Sequence, residues 1–161
     1  MIPLPNLVIR KYGDPVLEKK AKPVKDLAAI KDLVPAMFDV MYAEPGIGLA
    51  APQVGVSLRL VVIDVPADGK PRPLVLVNPK FEEKRGRVES VEVCLSFPGI
   101  SVTIPRAETV RVTALNENGF PVSILADGML ARCLQHELDH IDGVLMIDHL
   151  SLPQRFKVQM E

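Results

Sequence analysis

Apolar residues recur at helical spacing in two stretches of the chain. Between residues 26 and 42 they follow the period of an amphipathic helix, and Asp26 can cap its start. Pro35 lies inside this pattern, so the helix is predicted to be kinked or split there. A second helix is predicted from Asp127, which caps it, to Ile141, and a short third helix is predicted to begin after Ser151.

The middle of the chain is rich in short runs of Val, Ile and Leu, which are typical of strands. Pro and Gly separate these runs, and a turn-forming sequence joins the last two into a hairpin. The predicted strands lie at residues 58–65, 74–77, 88–95, 109–115 and 120–125. Because the strands cluster and do not alternate with helices, we predict an α+β fold with largely antiparallel β-sheets packed around the 127–141 helix.

Composition fits one folded domain and excludes several classes of protein. The chain has 161 residues, of which 48% are hydrophobic, so a single domain over residues 1–161 is predicted. The formal charge, 19 − 20 = −1, gives no sign of nucleic-acid binding. No apolar run reaches the roughly 18 residues of a membrane span. The opening residues lack the order of a signal peptide, so we predict a cytoplasmic location in which Cys94 and Cys133 stay reduced rather than forming a disulfide.

Residues 136–140 read His-Glu-Leu-Asp-His, an H-E-x-x-H pattern on the second predicted helix. Side chains four positions apart share a helix face, so His136 and His140 can bind one divalent ion. Glu137 then lies beside that ion as a proton carrier. Two of the three histidines in the chain meet in this pattern, which argues against a chance pair of surface histidines. The pattern therefore predicts a metal site.

A hydrolytic metal site of this kind needs a third protein ligand, and the sequence offers several. The candidates are Cys94, Cys133, Asp142, Asp148 and His149. Cys94 stands at the end of a predicted strand beside a turn, where a ligand can be held rigidly. Cys133 lies in the apolar stripe of the helix, where a thiol is usually a small hydrophobe. Spacing alone leaves the choice open, but three ligands would leave one position for a water, which favours catalysis.

Three segments, in order along the chain, resemble the motifs of the peptide deformylases. Residues 46–53 are similar to the family's G-x-G-x-A-A-x-Q, residues 92–96 resemble E-G-C-L-S, and residues 135–140 match Q-H-E-x-D-H. A lone H-E-x-x-H occurs in many metalloenzymes, whereas three motifs in this order are specific. The resemblance implies a deformylase-like fold and hydrolysis of the formyl group on the N-terminal Met of newly made polypeptides, which releases formate.

The resemblance also implies a role for the residues that match these motifs. One divalent ion is expected, Fe²⁺ physiologically, with Zn²⁺, Ni²⁺ or Co²⁺ replacing it in preparations. Its ligands would be Cys94, His136 and His140. Glu137 would act as the general acid and base. The side-chain amide of Gln53 and the backbone N–H of Leu95 would stabilise the oxyanion.

Other positions are predicted to contact the substrate or to support the metal ligands. The predicted substrate-contacting residues are Gly46, Ile47, Gly48, Glu92, Val93, Met129 and Cys133. The glycines would let an extended peptide approach the backbone and pair with it as an added strand. Arg106 would hold Glu92, and Asp139 would orient a ligand imidazole. N-formylmethionyl nascent peptides are the expected partners, the ribosome is a candidate partner for the segment after Ser151, and no pattern selects an oligomeric state.

The chain departs from the family's pattern at two positions. Val93 stands where the family usually has Gly beside the cysteine ligand, and its β-branched side chain adds bulk and restricts the backbone. Ser101 stands where many bacterial members carry an Arg that helps to hold the peptide. Both departures bear on peptide affinity and turnover rather than on metal binding.

Two other functions fit parts of the pattern. A zinc endopeptidase would take its third ligand from Asp142, Asp148 or His149 instead of Cys94. A non-catalytic formyl-peptide binder would keep the ion but would have lost turnover through Val93. Metal analysis of Cys94→Ser discriminates the first from a deformylase, and formate release excludes the second.

Overall fold

The structure is a computed structural model that describes residues 7–160. Its α-helices are α1 (Leu33–Ala43), α2 (Gly128–Ile141) and α3 (Leu152–Gln159). The predicted 26–42 helix is split ahead of Pro35, because a 3₁₀ helix at Leu27–Ile30, capped by Asp26, precedes α1. Pro35 lies in the first turn of α1, where its missing N–H has no intrahelical partner to lose.

The N-terminal caps of α2 and α3 differ in whether the side chain makes a capping hydrogen bond. Asp127 precedes α2, but its side chain makes no capping hydrogen bond, so that part of the prediction is wrong. Ser151 does cap α3, since its hydroxyl accepts a hydrogen bond from the Gln154 amide at 3.4 Å. The third helix therefore begins where the sequence predicts it.

In the described part of the chain, seven strands form two antiparallel sheets. They are β1 (Gly48–Ala50), β2 (Leu60–Asp64), β3 (Pro73–Arg85), β4 (Val88–Cys94), β5 (Phe97–Arg106), β6 (Thr109–Leu115) and β7 (Pro121–Ala126). β6 agrees with the prediction at both ends. β3 runs past its predicted end at Val77 because it pairs with β6 as far as Arg85. β5 was not predicted, since Pro and Gly interrupt its apolar residues.

The larger sheet has the strand order β1-β2-β3-β6-β7, and β4 and β5 form a separate two-stranded sheet. Every pairing between these strands is antiparallel. Three helices accompany the sheets without alternating with the strands. The α+β prediction is therefore confirmed.

The larger sheet is buried on both faces along β2, between α2 and α1. One face carries Val61 and Ile63, which belong to the core cluster that contains Leu134 and Ile141 of α2. The other face carries Leu60 and Val62, which share a second cluster with residues of α1. Burial on both faces explains why all five residues of β2 are buried and why the first four are apolar. The same packing fixes α2 against the sheet.

A third core cluster holds the β4–β5 hairpin close to the chain that follows α2. Phe97 and Ile104 of the hairpin pack with Leu17, Met146 and Ile147. Cys94 belongs to the same cluster, so the packing sets the end of β4 beside α2. Within residues 7–160, no helix combines the length and the apolar character that crossing a membrane requires.

Candidate metal centre

One face of α2 buries polar side chains as well as apolar ones. His136, Glu137 and His140 are all largely withdrawn from solvent. A core helix does not bury three ionisable side chains unless partners compensate for the lost hydration. Their burial therefore marks the part of the fold where polar chemistry is concentrated.

The sulfur of Cys94 meets the two imidazoles of α2 at this point. Cys94 Sγ lies 3.4 Å from His140 Nε2, and His140 Nε2 lies 3.3 Å from His136 Nε2. The three donor atoms lie within 4.8 Å of one another, and no other such group of His, Cys, Asp and Glu occurs among the described residues. Both cysteines are free thiols, so the alternative Cys94–Cys133 disulfide is not formed.

The chemistry of these donors fits a divalent transition metal. Burial raises the pKa of the Cys94 thiol, but the charges and hydrogen bonds of His140 and His136 outweigh burial and lower it to about 5. The thiolate is the form of cysteine that binds metals. Thiolate together with imidazole suits iron and zinc, among others. This group can therefore hold one ion, which none of its three members can do alone.

Glu92 orients His136 from behind. His136 Nδ1 lies 2.8 Å from Glu92 Oε1, which leaves Nε2 of the ring facing Cys94 and His140. Arg106 donates two hydrogen bonds to the Glu92 carboxylate, each at 2.8 Å, and the Ser90 hydroxyl donates a third at 2.9 Å. Burial raises the pKa of Glu92, but Arg106 and His136 outweigh it and lower it to about 2. Glu92 therefore supports the metal-binding imidazole of His136. Both of its oxygens are already engaged, so it is not the substrate contact that the sequence predicts.

Asp139 has a different partner from the one predicted. It accepts hydrogen bonds from Arg106 Nη1 at 2.7 Å and from His149 Nε2 at 2.8 Å, and it bonds neither imidazole of the metal group. Arg106 also bonds Glu92, so Asp139 and Glu92 share one guanidinium beside α2. Asp139 thus holds Arg106, whereas Glu92 orients the His136 imidazole, the role predicted for Asp139.

Replacing Arg106 by Met should destabilise the fold by about 3–5 kcal/mol, because it leaves the buried carboxylate of Glu92 and the partly buried carboxylate of Asp139 without their shared partner. The free energy of unfolding in urea, measured on the metal-loaded chain, checks this. Arg87→Met is the matched control, since Arg87 is exposed and its ion pair with Glu89 is loose at 3.8 Å. If Arg106→Met lowers the free energy of unfolding by less than about 1 kcal/mol, Arg106 is not the residue that stabilises the carboxylates of Glu92 and Asp139.

Glu137 is a buried carboxylate that makes no ion pair within the described part of the chain. Burial raises its pKa, an effect that the neighbouring imidazoles only partly offset. Its Oε2 has no hydrogen-bond partner within the described part of the chain. A carboxyl group with a raised pKa and a free oxygen beside metal-binding donors is suited to taking up and returning a proton.

Gln53 is buried opposite α2 and points its amide at the cysteine. Its Oε1 accepts from the Ala50 amide at 3.0 Å, which fixes which end of the amide carries the N–H groups. Its Nε2 donates to Ser96 Oγ at 3.2 Å and lies 3.6 Å from Cys94 Sγ. Leu95 lies between Cys94 and Ser96 in the turn that joins β4 to β5. Gln53 and Leu95 are therefore both close to Cys94, Gln53 through its side-chain amide and Leu95 as the next residue in the chain.

The two glycines before Gln53 allow close packing within the protein. A Cβ on Gly48 would lie 2.8 Å from Glu137 Cγ and 2.9 Å from Cys133 Sγ. A Cβ on Gly46 would lie 3.0 Å from Leu95 Cδ1. At Gly48 the space is filled by α2 rather than left for a peptide, so the missing side chain there lets β1 sit against Glu137.

The remaining predicted contact residues differ in their access to solvent. Val93 is 72% exposed on β4, and Met129 is 52% exposed on the first turn of α2. Ile47 is partly exposed just ahead of β1. Cys133 is buried, with its thiol 3.8 Å from the Ile47 carbonyl, and burial raises its pKa well above the ordinary value. Val93, Ile47 and Met129 are thus accessible, and Cys133 is covered.

The other candidates for the third ligand are occupied elsewhere. Asp142 pairs with Arg59 at 2.8 Å, Asp148 with Arg155 at 2.9 Å, and His149 with Asp139. None of them belongs to the group of donors that surrounds His136 and His140. The geometry that a zinc endopeptidase would need is not formed by these residues.

Two serines near the group were missed by the sequence analysis. Ser90 donates to Glu92, and Ser96 accepts from Gln53. Ser90 could have been found from the alternation of β4, because residues two apart share a strand face. Ser96 carries no such signal, since its partner lies on a distant segment.

Comparison with known proteins agrees with this geometry. The sequence model of the polypeptide deformylase family matches residues 7–156. A peptide deformylase from Thermodesulfovibrio yellowstonii is 46% identical over 147 residues, which is 90% of this chain and 89% of the relative. The crystal structure of a peptide deformylase from Legionella pneumophila, 46% identical, superposes with a TM-score of 0.90 over 95% of this chain and 90% of that one. A Synechococcus elongatus peptide deformylase in complex with actinonin, 42% identical, gives a TM-score of 0.89 over 97% and 86%.

A Cys/His/His group with a glutamate on an H-E-x-x-H helix defines a metal-dependent hydrolase. The family match and the relatives cover nearly the whole chain. The chain belongs to the polypeptide deformylase family, whose known function is the deformylation of N-formyl-Met peptides.

Proposed function

We propose that Cys94, His136 and His140 hold one divalent ion, at which this chain hydrolyses the formyl group of N-terminal formyl-Met with Glu137 as general acid and base. The observation that carries the proposal is the convergence of one sulfur and two Nε2 atoms beside a buried carboxylate with a free oxygen. An amide is hydrolysed when a water is activated, the carbonyl is polarised and the leaving amine receives a proton. The site has a group suited to each of these tasks.

A divalent ion held by these three residues supplies Lewis-acid chemistry, activating water and polarising the formyl carbonyl. Glu137 takes a proton from the water at Oε2, an atom that has no hydrogen-bond partner among residues 7–160, and returns it to the nitrogen of the leaving amine. Its raised pKa matches this double task, because the group must be able to exist in both protonation states near neutral pH. The products are formate and a peptide with a free amino terminus.

Gln53 and Leu95 stabilise the oxyanion in this proposal. A side-chain amide donates a hydrogen bond without titrating, and Gln53 Nε2 is already aimed at Cys94 by the Ala50 amide that holds its Oε1. The backbone N–H of Leu95, next to Cys94, is the second donor. Donors that are fixed before the reaction cost no reorganisation when charge develops.

The peptide is held along the start of β1 and beside β4. β1 is the edge strand of the larger sheet, so an extended peptide can pair with it as an added strand. Ile47, just ahead of β1, and Met129, on the first turn of α2, offer partly exposed apolar surface. Val93 and Ser101, the two departures from the family pattern, lie directly opposite each other in the β4–β5 hairpin. They therefore act on the same stretch of peptide.

Replacing Val93 by Gly should change KM for formyl-Met-Ala-Ser and leave metal content unchanged, because Val93 is exposed beside the substrate and contributes no metal donor. Steady-state kinetics together with metal analysis checks this. Val91→Gly is the matched control, because Val91 is as exposed as Val93, lies on the same face of β4 and is two residues further from Cys94. If neither KM nor kcat moves in Val93→Gly, Val93 is a tolerated variant.

The proposal includes Fe²⁺ as the physiological ion, with Zn²⁺, Ni²⁺ and Co²⁺ able to replace it, because thiolate and imidazole ligands suit all four. It also includes nascent formylated chains as substrates, and the reducing cytoplasm, which suits two free thiols. The ribosome is the candidate partner of α3.

The test is anaerobic purification with metal analysis, followed by a formate-release assay on the same sample. One equivalent of iron and release of formate from formyl-Met-Ala-Ser are expected. Internal peptide cleavage without formate would favour the endopeptidase. Binding of the formyl-peptide without formate would show a non-catalytic binder.

A further inference from the structure

Asp64 is a buried carboxylate that the proposed chemistry does not use. It ends β2 and is 4% exposed. Its Oδ1 accepts from the Arg72 amide at 2.7 Å, and its Oδ2 accepts from the hydroxyl of Tyr42. Burying a carboxylate is unfavourable unless such hydrogen bonds replace the lost water. The Arg72 amide and the Tyr42 hydroxyl therefore compensate for the burial of the Asp64 carboxylate and hold it in place.

The backbone of Asp64 reaches the other side of the same loop. Its amide donates to the Ile47 carbonyl at 2.8 Å, which continues the β1–β2 ladder by one rung. Tyr42 lies at the end of α1, and Ile47 lies just before β1. Asp64 thus bonds the residues on both sides of the connection formed by residues 43–46. Its carboxylate bonds Tyr42, and its backbone amide bonds Ile47.

This connection carries part of the surface proposed to hold the peptide. Gly46 lies in it, and a Cβ there would approach Leu95 Cδ1 to 3.0 Å. The Gly46 amide in turn donates to the Met41 carbonyl at 2.9 Å. A small displacement of α1's end would therefore move Gly46 and Ile47 relative to Leu95.

The hydroxyl of Tyr42 is well suited to remain a donor. Its hydrogen bond to Asp64 raises the pKa of Tyr42 to about 12, so the proton stays in place at neutral pH. The ring is half exposed and stacks on Phe38 at a centroid distance of 5.9 Å. The ring packing would survive removal of the hydroxyl, which isolates the effect of the hydrogen bond.

We propose that Tyr42 and Asp64 are positioning residues that fix the Gly46–Ile47 segment in the place where it binds the peptide. The proposal rests on the function proposed above, and it adds a pair of residues that contact neither the metal group nor Glu137. Its consequence is specific. Loosening the pair weakens peptide binding and leaves both the chemical step and the ion unchanged.

The test is Tyr42→Phe in the full, metal-loaded chain. KM for formyl-Met-Ala-Ser should rise about three- to tenfold, the equivalent of one net hydrogen bond, with kcat and metal content unchanged. In an Asp64→Ala background the same change should add no further rise, because the hydroxyl has lost its acceptor. Hydrogen exchange of the Gly46 and Asp64 amides, which close the two ends of the connection, should be faster in Tyr42→Phe.

Tyr12→Phe is the matched control, since Tyr12 is the other of the chain's two tyrosines and its hydroxyl bonds Gln159 on α3. It should leave KM unchanged. An unchanged KM in Tyr42→Phe, or an equal rise in Tyr12→Phe, overturns the proposal. If the wild-type chain releases no formate, the proposed function fails separately, and the exchange comparison alone decides whether the pair holds the connection.

Discussion

Replacing Glu137 by Gln is expected to lower kcat by about 100- to 10,000-fold, the usual contribution of a general acid and base. Glutamine keeps the shape of the side chain and can donate or accept a hydrogen bond, but it cannot carry the proton from water to the amine. Burial already raises the pKa of Glu137, so a neutral amide removes an unfavourable buried charge. The thermal midpoint should therefore be at least as high as in the wild type.

Metal content distinguishes this outcome from a damaged site. Glu137 is not one of the three grouped donors, so Glu137→Gln should retain one ion per chain. Formate release and metal analysis on the same preparation give both quantities. A variant that keeps more than about a tenth of the wild-type kcat would show that another group carries the proton.

Replacing Cys94 by Ala is expected to abolish turnover through loss of the ion. The thiolate is the single sulfur donor of the group and its one negative charge, so metal affinity should fall by more than the roughly 10- to 100-fold that follows loss of a supporting residue. Metal content after dialysis measures this. Glu137→Gln and Cys94→Ala thus give opposite results for the ion and the same result for formate.

Cys133→Ala is the control for Cys94→Ala. Cys133 is also a buried thiol and lies on α2 itself, but its sulfur contacts the Ile47 carbonyl and lies outside the donor group. The ion should remain bound in Cys133→Ala. Loss of the ion in Cys133→Ala but not in Cys94→Ala would mean that the wrong cysteine has been assigned.

The sequence predicts the parts of the site that lie close together along the chain. His136, Glu137 and His140 share a helix, and helical spacing alone places them on one face. The clean alternation of β6 likewise gives its two ends correctly. Family resemblance supplied the third ligand, because spacing left Cys94 among five candidates.

The parts that depend on distant segments could not be predicted. Asp139 holds Arg106 and His149, while Glu92 on β4 orients His136, because the β4–β5 hairpin, distant in sequence, brings both Glu92 and Arg106 to α2. The space at Gly48 is occupied by Glu137, a contact between β1 and α2 that no local pattern encodes. β5 escaped prediction because hairpin pairing overrides the Pro and Gly residues within it.

X-ray absorption spectroscopy of the zinc-loaded chain tests the central claim most directly, since it counts the donor atoms around the ion. We expect one sulfur at about 2.3 Å, two imidazole nitrogens at about 2.0–2.1 Å and one further light atom from water. In Cys94→Ala, any residual zinc should show no sulfur. A wild-type spectrum without sulfur, or one with a fourth donor from the protein that closes the site, would contradict the account.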